Sequence, residues 1–522
     1  MAFCTNGGSH TSVSQAASGD AFDQVLFAQP VMCDTLRVAG HDAKDLLVRW
    51  VDILSAGSDY RAELVLDDPR AHRHYHLEGD AVEELGTGGA IVHALHWTRR
   101  SAGDDATAML GFRTGLVDEL ISFPRIMHVP GGARAAFIWT EHADVTSVAS
   151  HRAVCFGRSD ISRPEEAVGG FVKYGIPLTK TLFFSNPNRL PLRVPGQVQA
   201  SMANEDLLQL CRTLLGLGWD IGIHSPQPDN STRKVNEQAI AFFEHEFDAR
   251  TWIDHGCASI RNGVSAWGLI PDQQHYIADL LERHGLRYCW EFASEDGGEH
   301  YRAGLSVLQT RMGDWPVTPL TWRIQAAPRL IIWPSTAGTD LNAYSEQELD
   351  ELIAHSGIAI SHTYPAYHYP AGRPAAYFEE TQDGTLVATD SFNNILARIA
   401  THRDRGDLAL LTVRKWCDYL EATKSVRIEP SPAGCIVAND GATNIPSLSL
   451  VVHGRDVEPV ADVEDFDVRR VGLDRIAHFH LAAGQQLELA FGSCEEKWSS
   501  KRDTHLTVTT HPLRRCDSGV ER

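Results

Sequence analysis

Between Ala135 and His362 short apolar runs recur, and several of them stop at His, Asp or Glu. The first carries most information. Ala135 to Asp144 reads A-A-F-I-W-T-E-H-A-D, an apolar stretch that passes straight into a polar cluster. An unbroken apolar run of this kind suits a strand buried on both faces, as in a parallel sheet. Thr140, Glu141, His142 and Asp144 would then stand at its carboxyl end, where parallel α/β folds build their chemistry. An imidazole and two carboxylates within four residues can hold a divalent metal or move protons. They can equally form an Asx-rich turn that caps the next helix.

The runs that follow decide what surrounds this strand. Leu178–Phe184, Trp219–His224, Ala249–Asp254, Leu286–Trp290, Arg329–Trp333 and Ile358–His362 read as further strands. Helical patterns lie between or after them, at Pro164–Tyr174, Asn204–Leu215, Ser231–Phe247, Pro271–His284, Ser345–His355, Ser391–His402 and Leu410–Leu420. Seven strands separated by helices or connecting loops predict an α/β fold with a parallel sheet, closed or nearly closed as a distorted (β/α)7-type barrel over residues 133–422. Glu295–Ala327 is long and irregular and reads as a loop over the site.

The flanks differ in pattern. Residues 22–132 show short alternating runs with turn residues between them, which predicts a β-rich accessory domain with a helix at Asp42–Leu54. Residues 423–499 predict a small antiparallel β domain. Residues 1–21 and 500–522 are polar and read as disordered or loose ends.

Charge and cysteine usage narrow the partners. The chain of 522 residues has 47 basic against 68 acidic side chains, a net charge of −21. That disfavours nucleic acid and anionic membrane, both of which reward clustered Lys and Arg. No apolar run reaches membrane-spanning length, and the first residues lack the basic start and apolar core of a signal peptide. The ten cysteines are scattered with no C-x-x-C pair, which predicts free thiols in a reducing cytoplasm. There is no G-x-S-x-G elbow, P-loop, G-x-G-x-x-G fingerprint or H-E-x-x-H helix, so serine hydrolase, P-loop nucleotidase and nicotinamide dehydrogenase all lose ground.

At the expected strand ends stand His142 and Asp144, His224, Asp254 and His255, Trp290 and Glu291, and His362. A barrel keeps its active site there. Repetition over five strands predicts a divalent metal centre with a proton-transfer group beside it.

The order of these strand ends resembles the polysaccharide deacetylase superfamily, metal-dependent carbohydrate esterases with a distorted (β/α)7 barrel. The likeness covers about Ala135 to His362, roughly half the chain. The family's first strand ends T-F-D-D, or T-H-D-x-D in divergent branches, against Thr140-Glu141-His142-Ala143-Asp144 here. Asp144 matches the metal-binding Asp, and His142 falls where the catalytic base Asp would be. The second motif, H-S/T-x-x-H, keeps His224 and Ser225, but Pro228 replaces its second His. The last motif, L-x-H, is matched by Ile360-Ser361-His362, and Trp290 stands for the aromatic wall.

The resemblance therefore implies a hydrolase that removes an acyl group, N-acetyl above all, from an acylated sugar or glycoconjugate. Asp144 and His224 would bind Zn²⁺ or a similar ion. Proline offers no donor atom, so the third ligand moves to His255, His142 or Asp229, with His255 favoured because it ends an adjacent strand. His142, Glu141 or Asp254 would take the water proton, His362 would protonate the leaving amine, and Trp290 with Glu291 would line the substrate. Two other readings stand beside this one. One is a carbohydrate-active hydrolase or lyase using Asp254 and Glu291 as paired carboxylates. The other is a glycan-binding protein without catalysis.

Overall fold

The computed structural model describes residues 124–493 apart from 193–195, 256–262, 265–267, 270, 291–319, 325–326, 334, 336–340, 355–356, 370–376, 454–456 and 472–473, and before residue 124 it gives strand positions only. Seven parallel strands form the centre: β1 Ala135–Glu141, β2 Leu178–Leu182, β3 Asp220–Ile223, β4 Thr251–Ile253, β5 Tyr288–Trp290, β6 Ala327–Trp333 and β7 Ile358–Ile360. Their spatial order is β7-β1-β2-β3-β4-β5-β6. Every residue of β1 is buried, as its unbroken apolar run requires.

The sheet curls into a half-barrel and does not close. β6 pairs with β5 on one edge and antiparallel with Leu320–Ile324 on the other, so neither edge is left for β7. Leu320–Ile324 runs on in the sheet to Val48–Ala56. That last strand corrects the expected helix at Asp42–Leu54; it pairs antiparallel with Asp59–Asp67. Three strands of two or three residues also fall within residues 1–21, which composition reads as disordered. Most of the loop expected over the site, and all of residues 500–522, lie outside the described residues.

Period-2 alternation gives the half-barrel two faces. The outer face carries Phe137, Trp139, Leu178, Leu182, Ile221, Ile223, Trp252 and Cys289, packed against helices. The inner face carries Ala136, Ile138, Ile253, Tyr288, Trp290, Ile331 and Ile360. Residues of the C-terminal strands, among them Val437, Leu448, Leu450 and Phe479, belong to the same inner cluster.

Helix α1 (Val148–Phe156) starts six residues after His142 in a capping box between Ser147 and Ser150, and it ends on the left-handed Gly157. Helix α2 (Glu205–Gly216) is capped by Asn204 and buries Leu207, Leu208, Cys211 and Leu214. The helix expected at Pro164–Tyr174 is instead two single turns, Pro164–Glu166 and Gly170–Lys173. Gly170 is the reason: it has φ +68°, and a Cβ there would meet the Val154 carbonyl at 2.3 Å. The stretch Leu410–Leu420 is also not one helix. Leu408–Leu411 is a strand, β8, beside the amino-terminal half of β1, and Thr412 then caps helix α3 (Val413–Thr423). No helix among the described residues is long and apolar enough to cross a membrane.

Candidate functional site

The carboxyl ends of the strands converge on one group of side chains. Parallel pairing sets Ile138 beside Ile360, Leu182 beside Ile223, Ile223 beside Trp252 and Ile253 beside Trp290. The inward-facing positions at these ends are His142, His224, His255, Trp290 and His362. His142 and His362 lie with ring centroids 4.4 Å apart, His142 and Trp290 4.7 Å, His142 and His224 5.3 Å, and His224 and His255 5.4 Å. Phe183 closes one side, 5.0 Å from both His224 and His255. Trp290 is fixed by donating its indole N–H to Ser335 Oγ at 2.8 Å.

Asp144 reaches into this group from the loop after β1. Its Oδ2 lies 3.0 Å from His224 Nε2 and its Oδ1 2.6 Å from His255 Nε2. Burial opposes its ionisation, yet the two imidazoles outweigh burial and hold its carboxyl far below the usual carboxylate range. His255 titrates above its ordinary value: burial works against the charged ring, and the hydrogen bond and charge of Asp144 overcome it. His142 is pushed well below its ordinary value, by burial first and then by the neighbouring His362 and His224. Burial likewise pushes His362 down to about 4. Its Nε2 shares a hydrogen bond of 2.9 Å with the Tyr364 hydroxyl.

Donor atoms of His142, Asp144 and His224 all lie within 4.8 Å of one another. Two features of these residues fit a divalent ion. His224 Nδ1 lies 3.1 Å from the Ile253 carbonyl, which accepts only if Nδ1 carries the proton, and this leaves Nε2 turned onto Asp144. A backbone carbonyl behind one ring nitrogen is how proteins orient a metal-binding imidazole. His142 Nε2 is the second feature: it is buried and has no hydrogen-bond partner.

The remaining expected site residues are placed differently. Glu141 faces outward, where its carboxylate meets Lys180 Nζ at 2.5 Å and His151 Nδ1 at 3.0 Å, all three side chains fully buried. Asp254 also faces outward and accepts from Trp252 Nε1 at 2.7 Å and from the Val264 amide at 2.9 Å. Asp229 is exposed and accepts from Asn188 Nδ2. Glu291 lies outside the described residues. Tyr364 and Phe183 belong to the group and were not read from the sequence; Tyr364 shares the parity of His362, which is the signal that could have found it.

The neutral imidazoles predict acid sensitivity. His142, His362 and the buried His151, which burial and Lys180 push down to about 4, bind fewer protons folded than unfolded. Stability should therefore fall as pH drops from about 6.5 toward 4, by about 1.4 kcal/mol per pH unit for each such histidine, with His255 working in the opposite direction. Melting temperature followed from pH 7.5 to 5 in chelator checks this; a flat profile would mean these rings are not held neutral.

No family model matches the chain, and no curated protein does either. Among solved structures it is similar to Puue allantoinase, at 12% identity and TM-score 0.30 over 59% of this chain and 97% of that one. It is also similar to apo pullulanase from Paenibacillus barengoltzii, at 9% identity and TM-score 0.29 over 84% of this chain and 94% of that one. Likenesses this distant assign no activity to the chain.

Proposed function

We propose that this protein is a metal-dependent hydrolase that removes an acyl group, N-acetyl above all, from a sugar-containing substrate. The observation that carries the metal is His224, oriented by the Ile253 carbonyl so that Nε2 faces Asp144 Oδ2 at 3.0 Å. The acyl-sugar substrate rests on the resemblance of the motif order. Asp144, His224 and His142 would hold the ion, with Zn²⁺ favoured by two imidazoles and one carboxylate. His255 spends its Nε2 on the other oxygen of Asp144 and orients that carboxylate. When bound, the ion supplies Lewis-acid polarisation of the acyl carbonyl and a more acidic water.

The proton work falls to His362. Glu141 and Asp254 are on the outer face, so they cannot reach an acyl group bound inside. His362 is neutral at neutral pH, with Tyr364 fixing its ring through Nε2. A neutral imidazole takes a proton from the attacking water and returns it to the leaving nitrogen. Trp290 walls the pocket on the side of both His142 and His362 and keeps water off the reacting bond.

Metal analysis of purified protein, followed by acetate release from N-acetylated amino sugars, tests the whole reading. His362→Ala should keep its metal and lose turnover by about 10²–10⁴-fold, the span of one acid–base group. Loss of metal in that variant would make His362 a ligand instead.

A further inference from the structure

Among the described residues five non-glycine positions have positive φ: Val145, Arg189, Ser225, Asp248 and Asp272. Asp248 is an ordinary left-handed helix cap. Two of the others directly follow Asp144 and His224: Val145 at φ 51° and Ser225 at φ 57°. A β-branched residue in this region is a genuine outlier, and it persists only where its surroundings over-determine it. At Ser225 the hydroxyl accepts from the His255 amide at 3.1 Å, which ties the ends of β3 and β4 together. At Val145 the restraint comes from farther along the chain.

Gln199 is 2% exposed and lies behind the loop that carries Asp144. Its Oε1 accepts from the Thr146 amide at 3.1 Å. Its Nε2 faces the carbonyls of Ala143 at 2.8 Å and Ala200 at 2.9 Å and the Thr146 hydroxyl at 3.0 Å. The two carbonyls can only accept, so the amide cannot be reversed. One side chain thus grips residue 143 before Asp144 and residue 146 after Val145. The Ala200 amide adds a bond to the Thr146 carbonyl at 2.8 Å, and the His368 amide one to the Val145 carbonyl at 3.0 Å.

We propose that Gln199 is a positioning residue: by clamping Ala143 and Thr146 it forces Val145 into the left-handed region and so holds the Asp144 carboxylate against His224 and His255. Without the clamp, Val145 relaxes to negative φ and carries Asp144 out of the cluster. Gln199 touches no reacting atom. The consequence for metal affinity rests on the metal reading above; the consequence for the Asp144–His255 contact does not.

Two measurements separate these. In metal-free protein, the imidazole N–H resonance of His255 hydrogen-bonded to Asp144 should be lost or strongly shifted in Gln199→Ala. It should return in Gln199→Ala combined with Val145→Asn, because asparagine tolerates the left-handed region. In the second arm, Zn²⁺ titrated against a chromophoric chelator should bind 10–100-fold more weakly to Gln199→Ala, as for loss of other residues that orient ligands, and the double variant should recover most of it. Gln199→Glu, which keeps the acceptor for Thr146 but faces two carbonyls without a donor, provides the same test if the alanine variant does not fold. An unchanged His255 resonance in folded Gln199 variants overturns the clamp whatever Zn²⁺ does. If the parent protein binds no Zn²⁺, the metal reading fails while the first arm still decides the clamp.

Discussion

Asp144→Ala should purify without divalent metal and without acyl hydrolase activity above background, while the parent carries about one equivalent. The effect is expected to be near complete because Asp144 is the hub of the site. Both of its oxygens are committed, to His224 and to His255, and it is the carboxylate within the cluster of His142 and His224. A catalytic zinc site commonly has three protein ligands and one open position, so two remaining imidazoles leave it deficient in ligands and charge. Removing Asp144 also takes from His255 the hydrogen bond and charge that raise its titration, which should move back down. Elemental analysis beside a circular dichroism melt distinguishes this from unfolding. A folded Asp144→Ala variant with a full equivalent of metal would place the ion elsewhere and sink the proposed donor set. Asp144→Asn sharpens the result, since it preserves size and removes charge.

Much of this site was legible because parallel strands deliver their ends in register. His142, His224, His255 and His362 sit one or two residues beyond the last paired position of their strands, and Trp290 at the last of its own, so reading apolar runs to their ends found them. Face was harder to read than position. Glu141 and Asp254 are neighbours in sequence of His142 and His255, and on an extended chain neighbours point to opposite sides. Counting parity from Phe137 and Trp139 would have put Glu141 on the helix-facing side, and Trp252 does the same for Asp254. Gln199 was not legible at all, because its role depends on long-range contacts to Ala143 and Thr146 from a loop with no periodic pattern. The end of β8, Leu410 and Leu411, falls inside the helix expected at Leu410–Leu420 because Leu-Ala-Leu-Leu fits either period over so short a span. What decided it was the space beside the amino-terminal half of β1, which only the assembled sheet defines.

The outward parity of Glu141 leads to the largest expected effect on stability. In Leu178-Thr179-Lys180-Thr181-Leu182, Lys180 shares its face with two core leucines, and its side chain is fully buried. Its ammonium meets Glu141 on β1 at 2.5 Å and His151 on α1 at 2.9 Å. Burial alone would raise the Glu141 carboxyl, but Lys180 and His151 bring it down to about 2. Its folded pKa thus lies below the unfolded one, so this carboxylate stabilises the fold above about pH 4.5, and that contribution is lost as pH falls toward 2. Lys180→Met leaves a buried carboxylate without its cation and should destabilise the protein by about 3–5 kcal/mol. Charge rather than volume sets that cost, so Glu141→Leu added to Lys180→Met should recover most of it, since a well-packed apolar pair can replace a buried ion pair. Urea midpoints for the parent, the two single variants Lys180→Met and Glu141→Leu, and the double variant close the cycle that measures the coupling. Single-variant costs that simply add in the double variant would show that the two charges do not depend on each other, and a loss below about 1 kcal/mol for Lys180→Met would mean that water reaches the pair. The pair also joins β1, β2 and α1 just behind the loop that carries Asp144. Metal affinity should therefore fall with stability in Lys180→Met and return with it in the double variant.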